Sequence, residues 1–242
     1  GPVDELQFTF SEAVDPATFT VADVTLTGPL GAVSLGSPVD SGSTVTIQPV
    51  APQQLPGIYT ITLHGNFTDS AGNPFDQNGD GIAPDSWSDT FTISDPGVVA
   101  AAYPFFECFD NHFESQSSWR FGSSGDGRLQ LVDAGGDTVL QMDDTSSGDP
   151  ANWAILAIDL AGVTGAKLFF DEHNPGDEDH PEDGVFASTD EGATWHKIAA
   201  LGGKSGSWVE HEIDLDAAFA GAGLSYTTNV WLKIQRKDGA AW

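Results

Sequence analysis

The stretch Phe75–Trp87 reads FDQNGDGIAPDSW. Asp76, Asn78, Asp80 and Gly81 stand where the D-x-N-x-D-G opening of a calcium loop places its first ligands and its turn glycine. Three side-chain oxygens on alternate residues can surround one cation if the chain turns sharply, which glycine permits. The Ile82 carbonyl offers a fourth oxygen. The closing position, where such loops carry a bidentate Glu, is Trp87, so Asp85 or Asp89 must supply the missing carboxylate. No helical pattern flanks the loop; GIYTITLHG precedes it and WSDTFTIS follows. The expectation is a calcium site between two strands, competing with a merely polar, Asx-rich turn.

Two further acidic runs have ligand chemistry. DEHNPGDEDHPEDG, residues 171–184, is expected to form a loop because Pro175, Gly176 and Pro181 interrupt it. Its charges repel one another unless solvent or a cation relieves them. Three readings stay open: a solvated loop, a calcium site drawing on Asp177, Glu178, Asp179 and Asp183, or a transition-metal site using His173 and His180. The spacing of the two histidines matches no zinc signature. QMDDTSSGDP, residues 141–150, places Asp143 and Asp144 where they could join Glu114 in a structural calcium site.

Among the aromatics, Trp153, Trp195 and Trp208 are candidates for a glycan platform, against the competing expectation that each packs in a core. No nucleophile elbow, phosphate-cradling glycine loop or H-E-x-x-H run is present. Paired carboxylates can be nominated anywhere in so acidic a chain and so point nowhere. The chain is read as non-enzymatic.

The elements that hold these residues are short and strand-like. LQFTF, DVTLTG, STVTIQPV, IYTITLHG and DTFTIS alternate apolar and polar residues, separated by Gly, Pro, Asp and Ser. After the linker-like SDPGVV come longer runs: GRLQLVD, TVLQMDD, WAILAIDL, AKLFFDEH, GVFAST, TWHKIAAL, WVEHEIDL and NVWLKIQRK. STDEGATW and DAGGDT read as hairpin turns. DLDAAFAGAGLS is the single short helix expected, with Asp216 as its cap. The fold class is therefore all-β, with a sandwich over residues 1–97 and a second, jelly-roll sandwich over 98–242.

Charge divides the same way. All eight Lys and Arg lie between Arg120 and Lys237, while residues 1–97 hold twelve acids and no Lys or Arg. A net charge of −28 repels nucleic acid and anionic membranes and suits divalent cations. With 15 Phe and 7 Trp, both parts can fill a core. The single cysteine, Cys108, excludes an internal disulfide and, in the apolar run YPFFECF, is expected to be buried. No apolar run is long enough for a membrane-spanning helix. Gly1-Pro2 resembles the scar left by a tag protease, so the native start is not expected here.

FTFSEAVDPATFTVADVTLTGP, GIYTITL and DSAGNPFDQNGDG resemble the bacterial immunoglobulin-like domains of large surface and secreted proteins, across nearly all of residues 3–94. From about residue 105 on, SSWRFGSSGDGRLQLV, LFFDEHNPGDEDHPEDGVFASTDEGATWHKI and EIDLDAAFAGAGLSYTTNVWLKIQ resemble jelly-roll modules of the MAM and cleaved-adhesin type. Such modules close with one more strand, often bearing Asp-Asp-Ile. With Trp242 as its last residue, the chain is expected to lack that strand and any ligand on it. The resemblance implies adhesion or ligand-binding modules of a secreted or cell-surface bacterial protein and names no ligand; Ca2+ is the ion expected from the acidic runs above, and an extracellular glycan or surface protein is the expected partner. The leading reading is a calcium-stabilised structural or adhesion segment. The alternatives are a carbohydrate-binding module attached to a secreted enzyme and an accessory domain of a secreted protease.

Overall fold

The computed structural model describes residues 3–50, 52–93, 97–109, 116–145, 150–175, 180–202 and 205–237. The chain divides into two compact units, one built on Gly1–Pro96 and the other holding most of the chain from Gly97 on.

In the first unit, period-two alternation decides which residues go inward. Strand β1 (Leu6–Thr9) buries Leu6 and Phe8, β2 (Val24–Gly28) buries Val24 and Leu26, and β5 (Thr44–Ile47) buries Val45 and Ile47. The longer β6 (Gly57–Leu63) buries Tyr59, Ile61 and Leu63, while β7 (Trp87–Ile93) fully buries only Ile93. The short β3 (Gly31–Val33) and β4 (Val39–Asp40) complete two sheets, ordered β1-β5-β4 and β3-β2-β6-β7. Their inner faces share one core, with Val14, Phe19 and Phe67 filling it from the connections. Tyr59 is fully buried and donates to the Leu55 carbonyl at 3.1 Å, and burial pushes its phenol up to about 12. Gly28 makes room for it, since a Cβ there would stand 2.6 Å from the Tyr59 ring. This is the immunoglobulin-like sandwich.

The second unit is a β-sandwich on a six-stranded sheet. β12 (Ala151–Asp159) lies between β17 (Val230–Lys237) on one side and both β8 (Ala101–Ala102) and β9 (Trp119–Ser123) on the other. β14 (Gly184–Ser188) and β15 (His196–Ala200) extend it beyond β17. The pairing of Leu156 with Leu232 and Ala154 with Ile234 sets the inward face. β13 (Lys167–Asn174) pairs antiparallel with β16 (Ser205–Asp214), and Glu172 of β13 reaches across the core to Arg236 of β17. β10 (Gly127–Asp133) and β11 (Thr138–Asp144) form a separate hairpin. Its turn is the expected DAGGDT, where Asp133 accepts from the Gly135 and Gly136 amides. The fold is all-β, as the alternation implies.

Two expectations need correction. Helix α1 (Leu215–Ala222) is capped by Asp214, whose side chain accepts from the Ala217 amide at 2.9 Å. Asp216 lies in the first turn and instead accepts from the Gly165 and Ala166 amides and the Tyr226 hydroxyl, which tie it to the preceding loop. Cys108 is exposed. Its apolar run is no core strand: β8 ends before Pro104, Phe105 stands 6.2 Å from Trp119, and Phe106 is 86% exposed.

Candidate cation loop and aromatic faces

The chain from the end of β6 to β7 is held by its own side chains. Asp76 accepts from the Gly79 and Gly81 amides at 2.8 and 2.9 Å. Asn78 accepts from the Asp80 amide and Asp80 from the Ile82 amide, at 2.8 and 2.7 Å. Asp85 closes the set by taking the Gln77 and Asn78 amides on one oxygen, at 3.0 and 3.2 Å. Every amide from Gln77 to Ile82 is thus bonded to a carboxylate or amide oxygen. Gly79 and Gly81 supply the left-handed turns, with φ 71° and 80°. The Asp85 amide bonds to the Phe75 carbonyl at 2.9 Å, which fixes the loop to its own base.

The structure therefore brings Asp76, Asn78, Asp80 and Asp85 together. Ile82 lies between Asp80 and Asp85 and is 73% exposed. Asp89 stands apart: it lies within β7 opposite Ile61 and accepts from the Thr90 amide. Each bonded oxygen keeps a further lone pair, so the amide bonds do not use up the acceptor capacity. Among the described residues, no three His, Cys, Asp or Glu side chains form a metal-holding group. The oxygens of Asp76, Asn78 and Asp80 are instead engaged with the loop's own amides.

The other acidic candidates have different surroundings. Asp143 forms a two-bond pair with Arg128, at 2.6 and 2.8 Å, and Asp144 follows it at the end of β11. Glu114, Asp177 and Asp179, with Glu178 and Trp242, lie outside the described residues, as do residues 94–96 of the linker. Asp183 is fully buried. Its carboxylate accepts from Arg236 Nη1 at 2.9 Å and from the His180 and Lys237 amides at 3.0 and 2.8 Å. Arg236 also donates from Nε to Glu172 Oε1 at 2.6 Å, and Glu172 Oε2 lies 2.9 Å from His211 Nε2. The His211 ring stacks on Phe170 at 4.7 Å. This buried chain of charges escaped sequence reading. Its signal was the alternation of VWLKIQRK, which aligns Arg236 with the inward Val230, Leu232 and Ile234.

Trp153 and Trp195 are half-buried. Trp195 belongs to an aromatic group around Lys233, whose ammonium lies 4.6 Å from the ring centres of both Phe186 and Trp195. Burial is the main cause holding the Lys233 amine below its ordinary range. Trp208 is on another face: it is 51% exposed on β16, beside His173 of β13 at 5.3 Å.

The turn before Trp195 is built on Asp190, which accepts from the Thr194 amide and hydroxyl and the Ser188 hydroxyl. These bonds, led by the Thr194 side chain, lower its carboxyl from 3.8 to about 2. A depressed folded-state pKa stabilises the charged turn above the ordinary carboxylate range and loses that contribution as pH falls from 3.8 through about 2. Protection of the Thr194 amide, relative to its intrinsic exchange rate, is expected to fall between pH 4 and pH 2 (about the window of the shift) and to be low at both in Asp190→Ala. Equal protection at both pH values in the parent chain would contradict this.

Residues 2–92 match the family model of the bacterial Ig-like domain. The N-terminal part of the bacterial S-layer protein SbsC is similar over 63% of this chain at 14% identity and TM-score 0.31, and the chain spans 37% of that structure. A carbohydrate-binding module from the β-sandwich superfamily is similar over 98% of this chain and 86% of its own, at 17% identity and TM-score 0.36. At these values neither structure bears on what this chain binds. No match is found among curated proteins. The Ig-like match points to a non-catalytic module and is compatible with a cell-surface or extracellular location. No helix among the described residues is long and apolar enough to cross a membrane.

Proposed function

We propose that the chain is a non-enzymatic structural or adhesion segment of a large secreted or cell-surface bacterial protein, with domains at 1–97 and 98–242, and that its first domain holds Ca2+ in the Asp76–Asp85 loop. The observation behind this reading is the run of amides from Gln77 to Ile82, all bonded to side-chain oxygens of Asp76, Asn78, Asp80 and Asp85. That arrangement gathers the loop's negative charge in a domain with no Lys or Arg to offset it. A hard cation would relieve the repulsion and fix the end of the sandwich. Flanking helices are not needed for this, because they serve sensors that transmit motion.

Calcium sites of extracellular modules have dissociation constants of about 0.1–1 mM. With calcium at about a hundred times that constant, linkage adds roughly 2.7 kcal/mol to the folded state. The Tm of the first unit, followed by calorimetry on the whole chain, is therefore expected to rise in calcium over chelator. In Asp80→Ala that rise should vanish. An identical melting profile in calcium and chelator would leave the loop as a polar turn.

A second reading, a glycan-binding module, is favoured by Trp195 and Phe186 lying together around Lys233 and by the half-exposed Trp208. A glycan array probed with the parent chain and with Trp208→Ala would distinguish it: retention of a sugar lost in the variant supports this reading.

A further inference from the structure

Of the seven asparagines in the chain, only Asn78 precedes a glycine, and both residues of the pair are exposed. Two hydrogen bonds converge on this dipeptide. Asp76 Oδ1 accepts the Gly79 N–H at 2.8 Å, and Asn78 Oδ1 accepts the Asp80 N–H at 2.8 Å. Gly79 holds a φ of 71°, and nothing lies within 4 Å of where its Cβ would stand. We propose that Asn78–Gly79 is a self-modifying site, at which Asn78 becomes a carboxylate through a succinimide with Asp76 as general base.

The loop supplies a group for each step. The Gly79 nitrogen attacks Asn78 Cγ and closes a five-membered ring. Its attacking electron pair stands perpendicular to the peptide plane, whereas the N–H lies in that plane. The Asp76 oxygen that takes the proton therefore leaves the line of attack open. Negative charge grows on Asn78 Oδ1 as the new C–N bond forms, and the Asp80 N–H already donates to that oxygen. The proton then passes from Asp76 to the departing amine, which leaves as ammonia. Water reaches the exposed ring and opens it, at Cγ to give Asp or at the main-chain carbonyl to give isoaspartate. One side-chain amide and one water become one carboxylate and one ammonium, and no other reactant is needed.

The other six asparagines lack this chemistry. Proline follows Asn73 and Asn174 and has no N–H to lose. Phe67, His112, Trp153 and Val230 follow the remaining four, and each brings a Cβ against the closing ring.

The conversion itself does not depend on the calcium reading. Its consequence does: a carboxylate at residue 78 stands between those of Asp76 and Asp80, where more ligand charge tightens a calcium loop. Asn78→Asp should accordingly show a larger calcium-dependent rise in Tm than the parent chain.

The test is intact mass, chymotryptic mapping and ammonia release of the whole chain held in chelator at mildly alkaline pH. The reference is the peptide acetyl-Gln-Asn-Gly-Asp-Gly-amide, which keeps the bond and lacks Asp76. The chain is expected to convert about tenfold faster than the peptide, short of what an enclosed general base contributes because this loop is exposed. The mass gain of NH2 becoming OH should map to Asn78, with ammonia in equal amount. Asp76→Asn should return the rate to that of the peptide. Asp89→Asn, a carboxylate that stands apart in β7, should leave it unchanged. A chain no faster than the peptide, or a rate untouched by Asp76→Asn, would overturn the proposal. Equal slowing by Asp76→Asn and Asp89→Asn would also overturn it, by reducing the effect to general charge. Repeating the measurement in calcium separates the two readings: a bound ion takes the Asp76 oxygens and slows conversion, whereas equal rates in calcium and chelator count against the calcium site alone.

Discussion

Arg236→Met is expected to destabilise the second unit by about 3–5 kcal/mol, the largest effect of any single substitution considered for that unit. The guanidinium lies between two carboxylates with little access to water: Asp183 is fully buried and the Glu172 side chain is 17% exposed. Removing it leaves both acids with main-chain amides and His211 but without their counter-charge. Breaking a buried pair on one side costs far more than the pair itself contributes, because the surviving charge stays desolvated. The same reasoning gives a second, opposite expectation. Combining Arg236→Met with Glu172→Gln and Asp183→Asn removes the charges together and should recover most of the loss. Urea denaturation followed by tryptophan fluorescence measures both. If Arg236→Met unfolds within about 1 kcal/mol of the parent, the size of an exposed pair, water reaches the network and the reasoning fails.

In the first unit the corresponding weak point is Gly65. Its φ is 25°, and a Cβ built there would run into the Asp85 carbonyl oxygen. No side-chain rotation relieves a backbone clash, so Gly65→Ala must push Asp85 away. Asp85 in turn holds the Gln77 and Asn78 amides, so displacement spreads into the start of the loop. The expected cost is about 3 kcal/mol, at the upper end for overpacking. Any calcium-dependent rise in Tm should be diminished with it. Gly72→Ala is the control: its φ is 88°, but nothing lies within 4 Å of its Cβ. It should cost only the local strain, about 1–2 kcal/mol, and leave the calcium response intact. Equal effects from the two substitutions would show that the Asp85 contact is unimportant.

The longer strands were legible because burial imposes alternation. LQFT and GIYTITL place Leu6, Phe8, Tyr59, Ile61 and Leu63 inward, and the structure buries each. Strands of two or three residues, such as β4 and β8, leave no period to detect. At the start of α1 the expected cap is Asp216, whereas Asp214 takes that place. The choice was made by the Gly165 and Ala166 amides and the Tyr226 hydroxyl, which come from elsewhere and claim Asp216. The Asp76–Asp85 loop could be read because its spacing is local. The buried charges could not, because Arg236 finds Glu172 and Asp183 only when two sheets and a connection meet.

The distribution of basic residues decides how the protein meets proteases that cut after Lys or Arg. Residues 1–119 offer no such bond, folded or unfolded, so the stability of the first unit is irrelevant to those enzymes. The seven described Lys and Arg residues all lie within strands: Arg120 in β9, Arg128 in β10, Lys167 in β13, Lys197 in β15, and Lys233, Arg236 and Lys237 in β17. A strand must leave its ladder before it can thread a protease active site, so cleavage at these seven follows the population of locally opened second unit. Trypsin digestion thus becomes a one-sided probe of folding: at these seven residues it reports the opening of the second unit's strands, and it leaves residues 1–119 uncut.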